Sequence, residues 1–475
     1  MVRRILAEKH FFVPALDHNI RYIGRWMPTS NRLRWDTAFP GAYIDLTVRN
    51  ASNLYLSLHN APSTGESDAS YDEINLRRMT FKPSEDRDQP AAPVTVAVFL
   101  CNHTALRFPS SENGLLAIDI ETGADGDDCA MRISYAGEIA KKAGIFQFKG
   151  VWLPHGASLQ PRVGTTDEIA ADTGRTPNAL FRKTIELVTD SPNYEENATS
   201  LIGWLAHLAA QFDVDQVKIP VHDHCLTEAC INTHARDVSI KDLFFRSGPA
   251  NSIFFSRAWH FRHYVPDVLV LDLGTVEHKF YIHGSPEQDQ GNAELRDNHQ
   301  SFESFTNSFV SAYVALIQQI RRTAYTLHPA VLEKYAFDGD GYTYNSAPST
   351  LPIFVMRPLE GSLASATLAV VEQMQKEGDK SVFWIDTSGW LSEADYSPKG
   401  QTQDDRFLTA SGHAKVASFM HAHLCHYLAL QSEQCPFLRR DSYMGSVYVP
   451  IEAELDKVIE ESKIKKLTEL FWTLD

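Results

Sequence analysis

Between residues 11 and 159, apolar and polar side chains alternate in short runs separated by turn clusters. The runs 42–48, 53–58, 94–100 and 130–135 place every second side chain on one face, which is the period of a strand buried on one side. Strands this short, in series, predict an antiparallel β-sandwich. The stretch 63–90 is polar and contains proline, so it reads as a long loop with no core of its own. Residues 162–180 are small and polar without periodicity and predict a linker.

Beyond the linker the pattern changes. Continuous apolar strands at 184–188, 217–221, 268–273, 352–356 and 382–385 alternate with amphipathic helices at 200–212, 302–327, 363–376 and 412–430. In the second helix Phe302, Phe305, Phe309, Val310, Tyr313, Leu316, Ile317 and Ile320 recur three and four apart. Strand, helix, strand, helix predicts a parallel sheet covered on both faces. The reading is a β-sandwich over 1–161, a linker over 162–180, an α/β/α domain over 181–432 and an extension over 433–475. Within the extension, Leu455, Ile459, Leu467, Leu470, Phe471 and Leu474 mark an amphipathic helix. It packs on its own domain, makes a homodimer contact or closes over the crevice.

Composition narrows the function classes. A chain of 475 residues with 43% hydrophobic content exceeds one core and suits two. A net charge of −16, with no cluster of Lys and Arg, excludes a nucleic-acid surface. No apolar run nears the roughly 18 residues of a spanning helix, so no membrane partner is expected. Arg3 and Arg4 suggest a leader, but Glu8, Lys9 and His10 interrupt its apolar core. The expectation is a cytoplasmic protein. Its six cysteines, Cys101, Cys129, Cys225, Cys230, Cys425 and Cys435, have neither scaffold density nor knuckle spacing, and are expected to be reduced and buried.

In parallel sheets the ligand crevice lies beyond the carboxyl ends of the strands. Four polar segments fall there: Thr189-Asp190-Ser191, His222-Asp223-His224-Cys225, the run from Gly274 through Val276 and Glu277 to His278, and the stretch from Asp386 to His413. The geometry of such a sheet brings them to one edge.

At these residues the chain resembles the SGNH/GDSL-type hydrolases, and its layout resembles their two-domain carbohydrate-esterase branch with an N-terminal jelly roll. Residues 185–191 are similar to the block whose Gly-Asp-Ser supplies the nucleophile. Residues 266–277 are similar to the block ending Gly-Thr-Asn-Asp, and 385–390 with 410–417 to the approach to the last block and its helix. Residues 20–26, 38–43 and 144–152 are similar to the jelly roll. The resemblance places Ser191 as nucleophile with Thr189 in place of glycine, Asp223 where an oxyanion glycine stands, and Val276 and Glu277 in place of Asn-Asp. It aligns Asp404 with the triad aspartate and Phe407 with the histidine. His413 then begins the terminal helix, as a packing or capping residue.

An acylating serine needs a base and oxyanion donors, and phenylalanine carries no proton. One reading is therefore a retooled fold in which Asp190, Asp223 and Glu277 supply acid/base chemistry, or cyclisation, on a small organic molecule, with Val276 and Phe407 as an apolar wall. A second is an ester hydrolase in which His224 or His222 activates Ser191. A third is a non-catalytic module binding carbohydrate or a metabolite. His222, Asp223, His224 and Glu277 would make a metal site only if folding converged all four, so neither metal nor cofactor is expected.

Overall fold

The structure, a computed structural model, describes residues 8–29, 33–59, 95–100, 106–109, 114–120, 128–135, 145–160, 182–191, 203–221, 224–231, 238–250, 252, 254–283, 301–325, 351–359, 363–397, 407–429 and 435. The expected linker, the loop 63–90 and the terminal helix lie outside these residues, as do His222, Asp223 and Asp404.

Among the described residues, twelve strands build the first domain: β1 (His10–Pro14), β2 (Arg21–Ile23), β3 (Met27–Pro28), β4 (Trp35–Thr37), β5 (Tyr43–Arg49), β6 (Asn53–Leu58), β7 (Thr95–Leu100), β8 (Leu106–Pro109), β9 (Leu115–Asp119), β10 (Asp128–Tyr135), β11 (Phe146–Pro154) and β12 (Ser158–Gln160). One antiparallel sheet runs β3-β4-β11-β6-β9 with β1 on β11, and the other runs β12-β5-β10-β7-β8 with β2 on β5. The alternation that predicted the strands now has a cause. Leu46, Val48, Leu54, Leu56, Val98, Ile133, Phe148 and Val151 point between the sheets into one core.

The second domain holds a parallel sheet of β13 (Thr184–Thr189), β14 (Asp215–Pro220), β15 (Val268–Asp272), β16 (Ile353–Met356) and β17 (Val382–Ile385), in the order β14-β13-β15-β16-β17. Its helices are α1 (Trp204–Phe212), α2 (Glu228–Ile231), α3 (Ile240–Phe244), α4 (Thr275–His283), α5 (Phe302–Thr323), α6 (Ala364–Lys376) and α7 (Ala410–Leu428). α5 and α6 pack on one face of the sheet, while α1 and α7 pack on the other. Thr409 caps α7: its Oγ1 accepts from the Gly412 N–H at 3.2 Å, which starts the helix two residues before the expected position.

The domains share packing. Ile23, Phe39 and Tyr43 of the sandwich belong to the same buried cluster as Val217, Phe244 and Phe309. Arg21 pairs with Asp215, and the Tyr43 hydroxyl accepts from the Gln216 N–H at 3.1 Å. Arg25, only 1% exposed, enters an aromatic box of Phe39, Phe244, Trp259 and Phe261. There it faces the buried Glu186 carboxyl, which also accepts from the Tyr264 and Tyr325 hydroxyls.

The cysteine expectation is corrected. Cys225 bonds Cys230, Cys425 bonds Cys435, and Cys129 is also in a disulfide. The fold brings the Cα atoms of the two named pairs to 5.8 and 5.5 Å, within bridging range. Spacings of five and ten residues carry no signal of that approach.

Candidate functional site

The strand order reverses between β14 and β15, with β13 at the turning point. In a sheet of this order, the crevice opens where successive connections leave toward opposite faces. β13 ends there in Thr189 and delivers Asp190 and Ser191. β15 ends in Asp272 and delivers Gly274 through His278 on the first turns of α4. Both strands are buried along their length because both faces are covered, β15 being apolar as far as Asp272 and β13 carrying Glu186 among its apolar residues. The polar side chains at their ends, Thr189 and Asp272, meet at the edge.

Thr189 joins the two ends. Its hydroxyl donates to Asp272 Oδ2 at 2.9 Å and accepts the Ser191 N–H at 3.2 Å. Asp190 turns beneath the serine, and its Oδ2 accepts the Gly274 N–H at 2.7 Å and the Val276 N–H at 3.3 Å. Gly274 has a φ of +124°, and a Cβ there would lie 3.1 Å from the Phe309 ring. A glycine is thus needed for the chain to turn its N–H groups onto Asp190.

Glu277 is wholly buried against Asp190. One of its oxygens accepts from the Leu226 N–H, and the Thr227 N–H also serves the carboxylate. Its other oxygen has no N–H or hydroxyl donor, and the two carboxyl groups meet in a hydrogen bond. Two carboxylates cannot bond without a proton between them. Burial, followed by the charges of Glu277 and Asp272, drives Asp190 well above the usual carboxylate range. Burial pushes Glu277 up to about 7, moderated by the Leu226 and Thr227 N–H groups and by Asp190. Between them the two groups retain a proton that free carboxylates would release. The two groups titrate as a pair.

The segment after β14 completes this edge. His224, buried, places Nδ1 3.1 Å from the Val238 carbonyl oxygen, so Nδ1 carries the proton in the neutral ring and Nε2 keeps its lone pair. His278 is buried on α4, with its N–H donating to the Gly274 carbonyl at 3.1 Å. Val276 is half-buried.

Phe407 is half-buried and exchanges hydrogen bonds with Ser397, accepting its N–H at 2.7 Å. His413, buried at the start of α7, accepts the Trp204 N–H on Nδ1 at 3.2 Å and so ties α7 to α1. Asp272, absent from the sequence candidates, proves central. A carboxylate closing an apolar run was the signal available for it. Among the described residues, no group of three or more His, Cys, Asp or Glu side chains is arranged to hold a metal ion.

No family model matches the sequence, and no curated protein sequence matches it. Solved structures do. A family two carbohydrate esterase from Cellvibrio japonicus superposes with a TM-score of 0.54 at 13% identity, covering 88% of this chain and 98% of its own. The chain has the two-domain SGNH hydrolase fold. An acetyl xylan esterase from the rumen bacterium Butyrivibrio proteoclasticus matches with a TM-score of 0.56 at 10% identity, over 88% of this chain and 98% of that one. A family two carbohydrate esterase from Clostridium thermocellum, in complex with cellohexaose, gives 0.52 at 15% identity, over 85% and 98%. At these identities the SGNH likeness speaks for architecture alone.

Proposed function

We propose that this protein uses the SGNH fold to bind a small organic molecule at the edge beyond β13 and β15, without hydrolysing it through a serine–histidine route. One observation carries the reading: the Ser191 N–H, the donor that the fold's hydrolases draw from the nucleophile's own backbone, already donates to the Thr189 hydroxyl. The family's glycine has no side chain to accept it. Val276 in place of asparagine and Phe407 in place of histidine agree, since one cannot donate and the other cannot take a proton. The sealed burial of Asp190 and Glu277 supports a role in holding the loops and weakens the expectation that they meet a ligand as acid and base.

The test is labelling with a serine-directed fluorophosphonate alongside turnover of short-chain aryl esters, in wild type and Ser191→Ala. Neither labelling nor turnover is expected. Turnover that disappears in Ser191→Ala would overturn the reading in favour of an esterase. That second reading gives the base's role to His224, whose Nδ1 lies 3.1 Å from the Val238 carbonyl oxygen. Loss of turnover in His224→Gln would then identify it.

A carbohydrate ligand draws support from the sandwich, where Phe12, 40% exposed, lies 5.1 Å from the Trp152 ring; retardation in a cello-oligosaccharide gel would reveal it. No described helix is long and apolar enough to cross a membrane. Two named disulfides support an oxidising compartment over the cytoplasm suggested by the sequence.

A further inference from the structure

Leu226 and Thr227, whose N–H groups serve Glu277, both lie inside the six-residue loop closed by the Cys225–Cys230 disulfide. The loop is braced both from outside and from within. The Cys225 carbonyl accepts the Ile240 N–H at 2.8 Å, and the Cys230 N–H donates to the Thr227 carbonyl at 3.2 Å. Both cysteines are buried. We infer that this disulfide is a positioning element for the site: oxidation shapes the 225–230 loop into a two-amide cradle for Glu277, and so fixes the Asp190–Glu277 pair beneath Ser191.

The chemistry balances simply. Two thiols lose two protons and two electrons as the S–S bond forms, and a disulfide oxidant, such as oxidised glutathione, takes up both and becomes two thiols. Without the bond the loop gains conformational freedom, and its amides no longer point together. Glu277 then loses the groups that favour its ionised form. The proton it shares with Asp190 is held differently, and Asp190's grip on the Gly274 and Val276 N–H groups loosens with it. The site is assembled only once the chain has been oxidised. This inference is independent of whether Ser191 turns over a substrate.

Amide hydrogen exchange followed by mass spectrometry tests it on the full chain, in wild type, Cys225→Ser/Cys230→Ser, Cys425→Ser/Cys435→Ser and Glu277→Leu. In the first double variant, exchange is expected to rise by about tenfold or more in peptides covering 224–231 and, across the sheet, 273–278, the scale of one lost hydrogen bond to a charged group. β5 and β10 of the sandwich keep their protection. The Cys425/Cys435 variant, which lacks a crosslink on α7, leaves 273–278 unchanged. Glu277→Leu, which removes the acceptor with the disulfide intact, raises exchange in 224–231 and supplies the test if the first variant does not fold. Unchanged exchange at 273–278 in the folded Cys225/Cys230 variant would overturn the inference. So would unchanged exchange at 224–231 in Glu277→Leu.

Discussion

Replacing Glu277 with glutamine should make the protein more stable at mildly alkaline pH, although it removes a group at the heart of the site. The reason is the sign of its titration. Burial raises the Glu277 carboxyl from 4.5 to about 7, so the folded protein holds a proton that the unfolded chain releases. The stability from that proton is fully present below about pH 4.5 and is lost as the pH climbs through about 7. At about 1.4 kcal/mol for each pH unit, the loss from this group alone is about 3 kcal/mol. Glutamine is neutral at every pH. Its carbonyl oxygen accepts from Leu226 and Thr227, and its amide donates to Asp190, which no longer faces a like charge. Urea unfolding at pH 5, 6, 7 and 8, followed by tryptophan fluorescence, should show a shallower fall for Glu277→Gln and a gain of about 1–3 kcal/mol over wild type at pH 8. Equal slopes, with the variant the less stable at pH 8, would refute the assignment of a shared proton.

Gly274→Ala should destabilise by about 1–3 kcal/mol, because it forces a side chain into the left-handed region and against Phe309; a thermal midpoint equal to wild type would contradict this. Arg25→Met should cost about 1–3 kcal/mol by removing the donor to the Arg246 carbonyl and the positive charge that offsets the buried Glu186, read as a lowered urea midpoint. His413→Leu removes the Nδ1 that accepts from the Trp204 N–H and should cost about 1–3 kcal/mol. Ligand affinity at the switch point should be unaffected by that change, and a loss of binding would place His413 in the site. Restoring Asn at 276 and His at 407 in a Thr189→Gly background should raise aryl-ester turnover by about 10² or more; no gain would argue that the fold's hydrolytic geometry is absent.

The parallel sheet was legible because its strands are buried on both faces, so apolar runs such as those ending at Thr189 and Asp272 stand out. α5 was legible for the complementary reason, a single apolar stripe. α4 was not. Its inward positions are Thr275, Glu277 and His278, so the face turned to the core is polar and the hydrophobic period vanishes where the site begins. Strands of two or three residues, such as β3 and β12, are too short to show a period at all. Thr189, Asp190, Ser191, Val276 and Glu277 could be gathered from their strand ends, whereas the amides of Leu226 and Thr227 could not, since every residue has one and only the folded loop aims them.

The sandwich lends Ile23, Phe39 and Tyr43 to the interior of its neighbour, and Arg25 lies inside that neighbour's aromatic box. Cutting the chain between residues 161 and 181 would therefore not yield two self-sufficient halves. The carboxy-terminal half would present an apolar scar and an acid, Glu186, stripped of its counter-charge, and would be prone to precipitate. Through Glu186 on β13, four residues ahead of Asp190, the amino-terminal half braces the ground on which the site stands, and a truncation meant to isolate the site would dismantle it.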